Sequence, residues 1–552
     1  MTNTIDSSCR LSRRAVMMMG AAGATSLLLP SAIGRDAAFA ANASPSGQLI
    51  LAFSQEPVNF NPWMPHIEVD EGFHYTVFDT LVDFDPEGKL FPVLAAEVPT
   101  VANGGISADG LQWRVKLKEG VTWHDGKPFT AEDVKFSFEL AVDPSFRSGR
   151  TTGYRLMKNI TVVSPTEITW EMTSPFAALP GVMATSWIIP KHAFDGVEDK
   201  NTAPFNQAPI GTGPFRLKNR QAGDHIEFEA NEAYHMDGPH FRTLVMKYIP
   251  DLNVMYTQFK SGAIDVMGLQ WITPDNYAEA KTLPGMVVDA IGSSSFESMG
   301  LNNMRPQFQD PAVRQALYAA IDKTSIIDAL YYGIPSPAET YMPQKSAYYN
   351  PDLPKHAYDI AAANKLLDDA GWVRGPDGVR AKNDVRLEFT NSTTAGNHLR
   401  EQVQQFLQQS FLDIGVKMNI SNLPAAVMWG DYWMKSEFDT VIVGLNVLMG
   451  ADPDTSDYFV STSSAARGGN GSNNFCYQSE EVDALHKQGA ETFVFEDRIP
   501  IYQKIQAKIR EDLPFLPLFQ YANVKARKQG VTGPTGNPNN RIDTWNVRDW
   551  KI

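Results

Sequence analysis

Residues 113–134 read WRVKLKEGVTWHDGKPFTAEDV, and this stretch decides the fold assignment. Apolar and polar residues alternate over 111–117, which predicts a half-exposed strand. The turn signal Asp125-Gly126-Lys127-Pro128 follows, with Asp125 expected to cap the turn. A helix is then predicted to begin after Thr130, because its hydroxyl can cap a helix and two acidic residues follow at the positive end of the helix dipole.

A second informative stretch lies in the C-terminal half of the chain. It predicts a strand over 385–390, an amphipathic helix over 397–413 that ends before Gly415, and a strand over 416–420. Such a strand–helix–strand unit is typical of an α/β fold. Further strands are predicted over 49–53, 166–172, 241–249, 439–445 and 515–521, and further helices over 253–261, 311–330, 479–488 and 496–511.

The chain has 552 residues, which is too long for one hydrophobic core, so two or three domains are expected. No Gly/Ser-rich linker is visible, so ordered crossings are expected to join the domains.

The formal net charge is -15, which disfavours binding to nucleic acid. Of the two cysteines, Cys9 lies in the N-terminal segment, and Cys476 has neither metal-ligand spacing nor a visible catalytic partner.

The first 40 residues have the features of an export signal. Arg13-Arg14 precede an apolar stretch that runs to about Pro30, and Ala38-Phe39-Ala40 offers a cleavage site. The arginine pair after a serine resembles a twin-arginine signal, with general secretion as the alternative. We therefore expect residues 1–40 to be removed and the mature protein to be periplasmic.

Motifs for the common enzyme classes are missing from the sequence. It has no Gly-x-Ser-x-Gly, no Gly-rich phosphate loop and no His-Glu-x-x-His. A pair of carboxylates for glycoside hydrolysis would leave no such motif, so a secreted hydrolase stays an alternative. We expect a protein that is not an enzyme and that has no cofactor and no metal site.

Four blocks of sequence, in order along the chain, resemble one family. They are Gln55-Glu56-Pro57 with Asn61-Pro62 and Phe78–Val82; residues 113–134; Gly211–Phe215 with Asn231–Tyr234 and Ser261–Asp265; and Asp310–Leu317 with Ala320–Lys323. The family is the bacterial extracellular solute-binding proteins of family 5, which include dipeptide- and oligopeptide-binding proteins. The resemblance runs from about residue 50 to about residue 525.

The resemblance implies an α/β clamshell with two lobes and an extra subdomain in lobe I. The boundaries it implies are 41–80 and 207–298 for the first two parts of lobe I, 81–206 for the extra subdomain, 299–519 for lobe II and 520–552 for the return to lobe I. Two crossings, near 296–303 and 517–523, would form the hinge. Strand crossings of this kind allow the lobes to close on a ligand as rigid bodies.

The resemblance also implies ligand-binding residues. The segment 444–454 is similar to a family loop whose aspartate pairs with the α-ammonium of a peptide, and Asp452 is its best match, with Asp454 as the alternative. Arg400 is near the position of an arginine that holds a ligand carboxylate in dipeptide-binding relatives, although it could also be a surface residue. The other candidates are Asn446, Trp271, Trp429 (with Trp433 one helical turn away), Glu71 and Gly72.

The expected function is capture of a peptide or peptide-like solute for an ABC importer. The expected partners are that small molecule and the permease subunits in the inner membrane, and the protein itself is expected to be a monomer. The alternatives are a non-peptide solute (an opine, an oligosaccharide, a metal chelate or haem), the hydrolase, and a receptor that presents its closed form to a sensor.

Overall fold

The computed structural model describes residues 46–448, 450–540 and 542–552. The predicted export signal at residues 1–40 lies outside the described residues. Within the described ranges, every helix is too short or too polar to cross a membrane.

The described strands are numbered in chain order. They are β1 (Gln48–Phe53), β2 (Val82–Phe84), β3 (Leu90–Pro92), β4 (Gln112–Lys116), β5 (Met157–Ser164), β6 (Glu167–Met172), β7 (Phe215–Gln221), β8 (His225–Ala230), β9 (Thr243–Tyr248), β10 (Val266–Ile272), β11 (Met286–Leu301), β12 (Ser336–Pro337), β13 (Val373–Arg374), β14 (Arg380–Lys382), β15 (Val385–Arg386), β16 (Glu388–Ser392), β17 (Lys417–Ile420), β18 (Thr440–Leu445) and β19 (Phe515–Lys528).

The α-helices of the described residues are α1 (Glu68–Val77), α2 (Ala131–Val142), α3 (Leu179–Ala184), α4 (Leu252–Lys260), α5 (Tyr277–Ala280), α6 (Pro306–Gln309), α7 (Pro311–Ala319), α8 (Lys323–Tyr331), α9 (Ile360–Asp369), α10 (His398–Asp413), α11 (Ala425–Met428), α12 (Asp431–Met434), α13 (Ser456–Phe459), α14 (Glu480–Glu491) and α15 (Phe495–Asp512). Short 3₁₀ turns lie at Tyr154–Leu156, Lys191–Phe194, Lys200–Thr202, Pro204–Asn206, Pro274–Asn276, Ser461–Ser463, Ala465–Arg467 and Asp543–Asp549.

One large sheet runs through the molecule in the order β17-β16-β18-β11-β19-β10-β1-β9-β8-β7, with β12 paired to β19. Each half of the sheet contains parallel pairs: β1 lies between β9 and β10, and β16 lies between β17 and β18. The two longest strands, β11 and β19, pair antiparallel in the middle. A separate three-stranded sheet, β4-β6-β5, is called here the small sheet.

Separate hydrophobic cores lie on either side of the two long strands. The first lobe, built on β1 and β7–β10, has cores around Phe228 and Met255, and the small sheet packs into the first of these through Trp113. The second lobe, built on β16–β18, has cores around Leu317 and Phe515. The two-lobed α/β architecture is therefore confirmed, while the domain boundaries given above stay a prediction.

The two long strands pass from one lobe into the other. On β11, Val288 packs against a first-lobe core and Leu301 lies in a second-lobe core. On β19, Leu518 lies in the second lobe and Val524 in the first. The ladder between these strands is interrupted after Gly292 and resumes at Phe296, so residues 293–295 form a break in the crossing.

A second contact joins the lobes away from the long strands. Phe493 lies in the link between α14 and α15, and its ring packs edge-on against Trp113 of the small sheet, with 6.2 Å between ring centroids. Close to it, the backbone N–H of Ala177 donates to the carbonyl of Ala490 at 2.9 Å. The second lobe thus touches the small-sheet region directly.

The stretch 113–134 folds as its pattern predicts, into β4, a turn and α2. The backbone N–H of Thr130 donates to Asp133 Oδ2 at 2.9 Å, which fixes the start of α2.

Two other predictions need correction. The helix predicted over 311–330 is two helices, because the Asp322 carboxylate accepts from the N–H of Ser325 and starts α8 anew. The strand predicted over 385–390 is also two strands. β15 belongs to a different three-stranded sheet, β13-β14-β15, and β16 belongs to the large sheet.

Candidate functional site

A cavity of about 410 Å³ lies between the two lobes. One wall comes from the first lobe: the start of α1, the loop around Arg150 and the residues that follow α3. The opposite wall is the loop that follows β18 in the second lobe, and two asparagines near the C-terminus complete the lining. The lining residues are His66, Ile67, Glu68, Glu71, Tyr75, Gly149, Arg150, Thr152, Val182, Thr185, Ser186, Trp187, Asn446, Leu448, Gly450, Asn539 and Asn540.

Helix α1 presents Glu71 to this cavity. The buried carboxylate of Asp70 accepts backbone N–H groups from Val58 at 2.7 Å and from Ile67 at 2.9 Å, and so ties the helix start to the preceding loop. Burial raises the pKa of Asp70, and these hydrogen bonds partly offset that rise. Phe73 on the same helix lies in the first-lobe core, so α1 is held rigidly and Glu71 stays on the cavity side.

The first-lobe wall carries a compact group of polar side chains around Arg150. Its Nη2 lies 3.0 Å from His66 Nε2 and 3.5 Å from Glu71 Oε1. The guanidinium also lies over the Trp187 ring, 5.2 Å from the ring centroid. His66 Nδ1 is 2.9 Å from the carbonyl of Met64, which can only accept, so this nitrogen carries the proton and Nε2 accepts from Arg150.

The loop after β18 crosses from one lobe to the other. Leu448 packs in a second-lobe core, whereas Ala451 packs in the first-lobe core. Gly450 has a positive φ of 61°, and a Cβ there would lie 3.0 Å from the Phe84 ring. This close approach to the first lobe brings Asn446 to the cavity opposite Glu71.

The structure places Asp452 beneath this loop, in a buried ion pair with Arg498. Arg498 Nη1 lies 2.9 Å from Asp452 Oδ2, and Nη2 lies 3.2 Å from Oδ1. Burial acts to lower the pKa of Arg498, but the charge of Asp452 outweighs it and the pKa is raised. Both carboxylate oxygens of Asp452 are thus already bonded, and the residue does not line the cavity.

Asp454, the alternative to Asp452, is also buried in the second lobe. Its Oδ1 accepts the backbone N–H of Ser456 at 2.9 Å, as expected of a turn-forming aspartate. Burial raises the pKa of Asp454, and the nearby charge of Asp452 raises it further. It does not line the cavity either.

Arg400 lies at the start of α10 and pairs with Glu297 of β11. Arg400 Nε is 2.7 Å from Glu297 Oε1 and Nη2 is 3.0 Å from Oε2, while the hydroxyl of Tyr521 on β19 donates to the same carboxylate. Burial acts to lower the pKa of Arg400, but the charge of Glu297 outweighs it and raises the pKa. The guanidinium therefore ties a second-lobe helix to the crossing strands.

The remaining candidates lie away from the cavity. Trp271 donates from Nε1 to Asp543 Oδ2 at 2.8 Å inside the first lobe. Trp429 is 40% exposed on the second lobe and touches Trp433, which is buried. Gly72 packs α1 against β1, since a Cβ there would lie 2.8 Å from the Phe53 ring.

Of the seven candidates, the structure brings Glu71 and Asn446 together in one cavity, and it holds the other five elsewhere. The ligand-binding roles of all seven stay predictions. Sequence reasoning missed Arg150, His66 and Trp187, because isolated residues from three loops carry no motif that marks them. Among the described residues, no group of three or more His, Cys, Asp or Glu side chains could hold a metal ion.

Comparison with known proteins agrees with this architecture. The family model of the bacterial extracellular solute-binding proteins, family 5 (middle region), matches residues 89–470. The oligopeptide-binding protein AppA of Bacillus subtilis is 28% identical over 517 residues, which cover 91% of each chain.

Two solved structures are similar over nearly their whole length. AppA of Bacillus subtilis in complex with a nonapeptide has a TM-score of 0.72 and 26% identity, covering 92% of this chain and 99% of its own. NikZ of Campylobacter jejuni in complex with Ni(L-His) has a TM-score of 0.74 and 28% identity, with 92% and 100% covered. The chain therefore belongs to the bacterial extracellular solute-binding proteins of family 5.

Proposed function

We propose that this protein captures a peptide or peptide-like solute in the cavity between its lobes and delivers it to an ABC importer. The observation that carries the proposal is that one cavity has Glu71 on the wall of one lobe and Asn446 on the wall of the other. Its volume of about 410 Å³ lies within the usual range for small-molecule sites. AppA, a relative over most of its length, is named as an oligopeptide-binding protein.

Capture follows from closure of the lobes. A ligand that touches both walls binds the closed form more tightly than the open form, so its binding shifts the population toward closure. The crossing strands β11 and β19 supply the hinge in this proposal, and the predicted lobe boundaries apply to it. The closed form then docks on the permease subunits in the inner membrane.

The ligand contacts in this proposal are polar and come from both sides. The Glu71 carboxylate accepts N–H groups of the ligand, and the Asn446 amide can both donate and accept. Because Asp452, Arg400 and Trp271 already have partners inside the protein, their geometry favours a supporting role for them over direct contact.

The proposal includes the cellular setting. We propose export through the segment 1–40 into the periplasm, action as a monomer, no bound nucleic acid and no chemical change of the ligand. The family is named as extracellular, which supports the location.

The test uses a library of tripeptides with free termini. The mature protein is incubated with the library and washed, and the retained peptides are weighed by native mass spectrometry. We expect retained peptides whose masses are unchanged after long incubation. A cleaved product would favour the hydrolase, and a co-purified metal chelate or haem with no retained peptide would favour a non-peptide solute.

Two variants then test whether the ligand bridges the lobes. Glu71→Ala and Asn446→Ala should each lower the affinity for a retained tripeptide about tenfold in calorimetry, because each removes a polar contact from one wall. Glu87→Ala, at an exposed acid of the first lobe, is the matched control and should bind as the wild type does. If both variants kept the affinity of the wild type, binding of the ligand in this cavity would be contradicted.

A further inference from the structure

We propose that Arg150 selects ligands that carry a carboxylate, so that the importer's cargo is recognised by its acidic end on the first-lobe wall. This inference rests on the proposed function and adds to it a specificity residue that the sequence did not mark. It follows from the contacts that hold the Arg150 side chain and from the N–H groups of the guanidinium that these contacts do not use.

The guanidinium is fixed in place from several sides. The loop before it packs tightly, since a Cβ on Gly149 would lie 3.0 Å from the backbone of Pro65. The backbone N–H of Gly149 donates to the carbonyl of Trp63 at 2.8 Å. The side chain then rests over Trp187 and donates from Nη2 to His66. Such support positions the charge before a ligand arrives, which lowers the ordering cost of binding.

The same guanidinium has donors left over. Arginine offers five N–H groups, and the contacts with His66 and Glu71 both use Nη2. In the described part of the chain, the buried Nε of Arg150 has no hydrogen-bond partner. Because Nε is buried, a ligand acceptor in the cavity would meet the guanidinium at its outer nitrogens, and the contacts with His66 and Glu71 do not use Nη1.

The contact between Arg150 and Glu71 is long and partly exposed, so a ligand carboxylate can replace Glu71 at the guanidinium. The two side chains are 3.5 Å apart at their nearest atoms, and their side chains are 21% and 26% exposed. By contrast, the buried pair of Arg498 and Asp452 has two contacts of 2.9 and 3.2 Å. A planar guanidinium binds a carboxylate through two parallel hydrogen bonds, so a ligand carboxylate offers Arg150 a stronger partner than Glu71 does.

The lining restricts where an acidic group of a polar ligand can lie, because Glu68 and Glu71 also line the cavity and repel a carboxylate placed away from Arg150. The cavity lining includes the neutral side chains of Ser186, Asn539 and Asn540, which can bond to carboxylate oxygens or to amides. Lysine is absent from that lining, and Arg150 is its one arginine. Recognition of an acidic group in this cavity therefore depends on Arg150.

The experiment compares two tripeptide libraries on the mature protein: one with free C-termini and one with C-terminal amides. The wild type should retain the free acids at least about tenfold better, because the amide removes the charge-assisted contact. Arg150→Gln should lower retention of the free acids to the level of the amides. Arg155→Gln, at an exposed arginine five residues along, is the control and should behave as the wild type does.

Arg150→Lys keeps the positive charge but cannot form two parallel hydrogen bonds to a carboxylate. It should retain free acids at an intermediate level, with a clear preference over amides. Thermal unfolding of each variant reports whether it folds, and the comparison of the two libraries on the wild type needs no substitution. Equal retention of the two libraries would overturn the inference and leave the proposed function intact. A preference for free acids that persists in Arg150→Gln would overturn the role of Arg150. Retention of neither library would contradict the proposed function and this inference with it.

Discussion

Single residues show how differently two buried aspartates behave. Asp452 is paired through both oxygens to Arg498, with each side chain less than a tenth exposed. Asp83 has no ion-pair partner among the described residues: burial raises its pKa to about 7, and the hydrogen bond from the Phe84 N–H and the nearby charge of Arg548 only partly offset this. The charge of Asp452 is stabilised by Arg498, whereas burial disfavours the charged form of Asp83.

The ion pair predicts a loss of stability in Asp452→Ala. Removing the carboxylate leaves Arg498 buried without its counter-charge, which should lower the free energy of unfolding by about 3–5 kcal/mol in urea titrations. Asp431→Ala removes an exposed pair with Lys435 and should cost under about 1 kcal/mol. If Asp452→Ala instead kept its stability and lost affinity for a retained tripeptide, direct contact of Asp452 with the ligand would be supported.

Asp83 predicts a pH dependence. Its pKa is about 7 in the folded protein and about 3.9 in an unfolded chain, so between these values the folded state binds the extra proton. Its contribution to stability is therefore full below about pH 4 and is lost as the pH rises through about 7, by as much as about 4 kcal/mol. Asp83→Asn cannot ionise, so its stability measured by urea titration should fall less than that of the wild type from pH 4 to pH 7.5. Parallel pH profiles for the two proteins would contradict this account.

At the scale of elements, local signals predicted most helices and strands. The β4–α2 stretch, α10 and β17 lie where their patterns predict them, because capping residues and alternation act over a few neighbours. The single helix predicted over 311–330 was wrong because its apolar spacing continues past Ala320, while Asp322 caps a new helix. The second half of β19 was missed because its pairing with β11 and β10 lies far away in sequence.

The link between α14 and α15 carries a prediction of its own. Phe493 contacts Trp113 across the lobes, so Phe493→Ala should destabilise the closed form without touching the cavity. We expect about tenfold weaker binding of a retained tripeptide in calorimetry, and a larger radius of gyration by X-ray scattering without ligand. Val494→Ala, at the exposed neighbour, serves as the control. Unchanged affinity and size in Phe493→Ala would show that this contact does not bias closure.

For the whole molecule, the family resemblance predicted the two lobes correctly, and it did so from motifs that lie mostly in the first half of the chain. The site was harder to predict. Glu71 and Asn446 are 375 positions apart and meet because the loop after β18 reaches the first lobe. Arg400 was expected at a ligand carboxylate, but Glu297 offers it a carboxylate inside the protein, and only long-range packing reveals that partner.

The break in the ladder between β11 and β19 has a mechanical consequence. Residues 293–295 are three consecutive serines that follow Gly292, where a side chain would meet no atom within 4 Å. The backbone there can twist without breaking hydrogen bonds between the long strands, so in the proposed closure bending strain would concentrate at this short segment and both lobes would keep their internal geometry. Deuterium uptake at these amides should therefore be faster than along the paired stretches on either side and should slow when a ligand holds the two halves together.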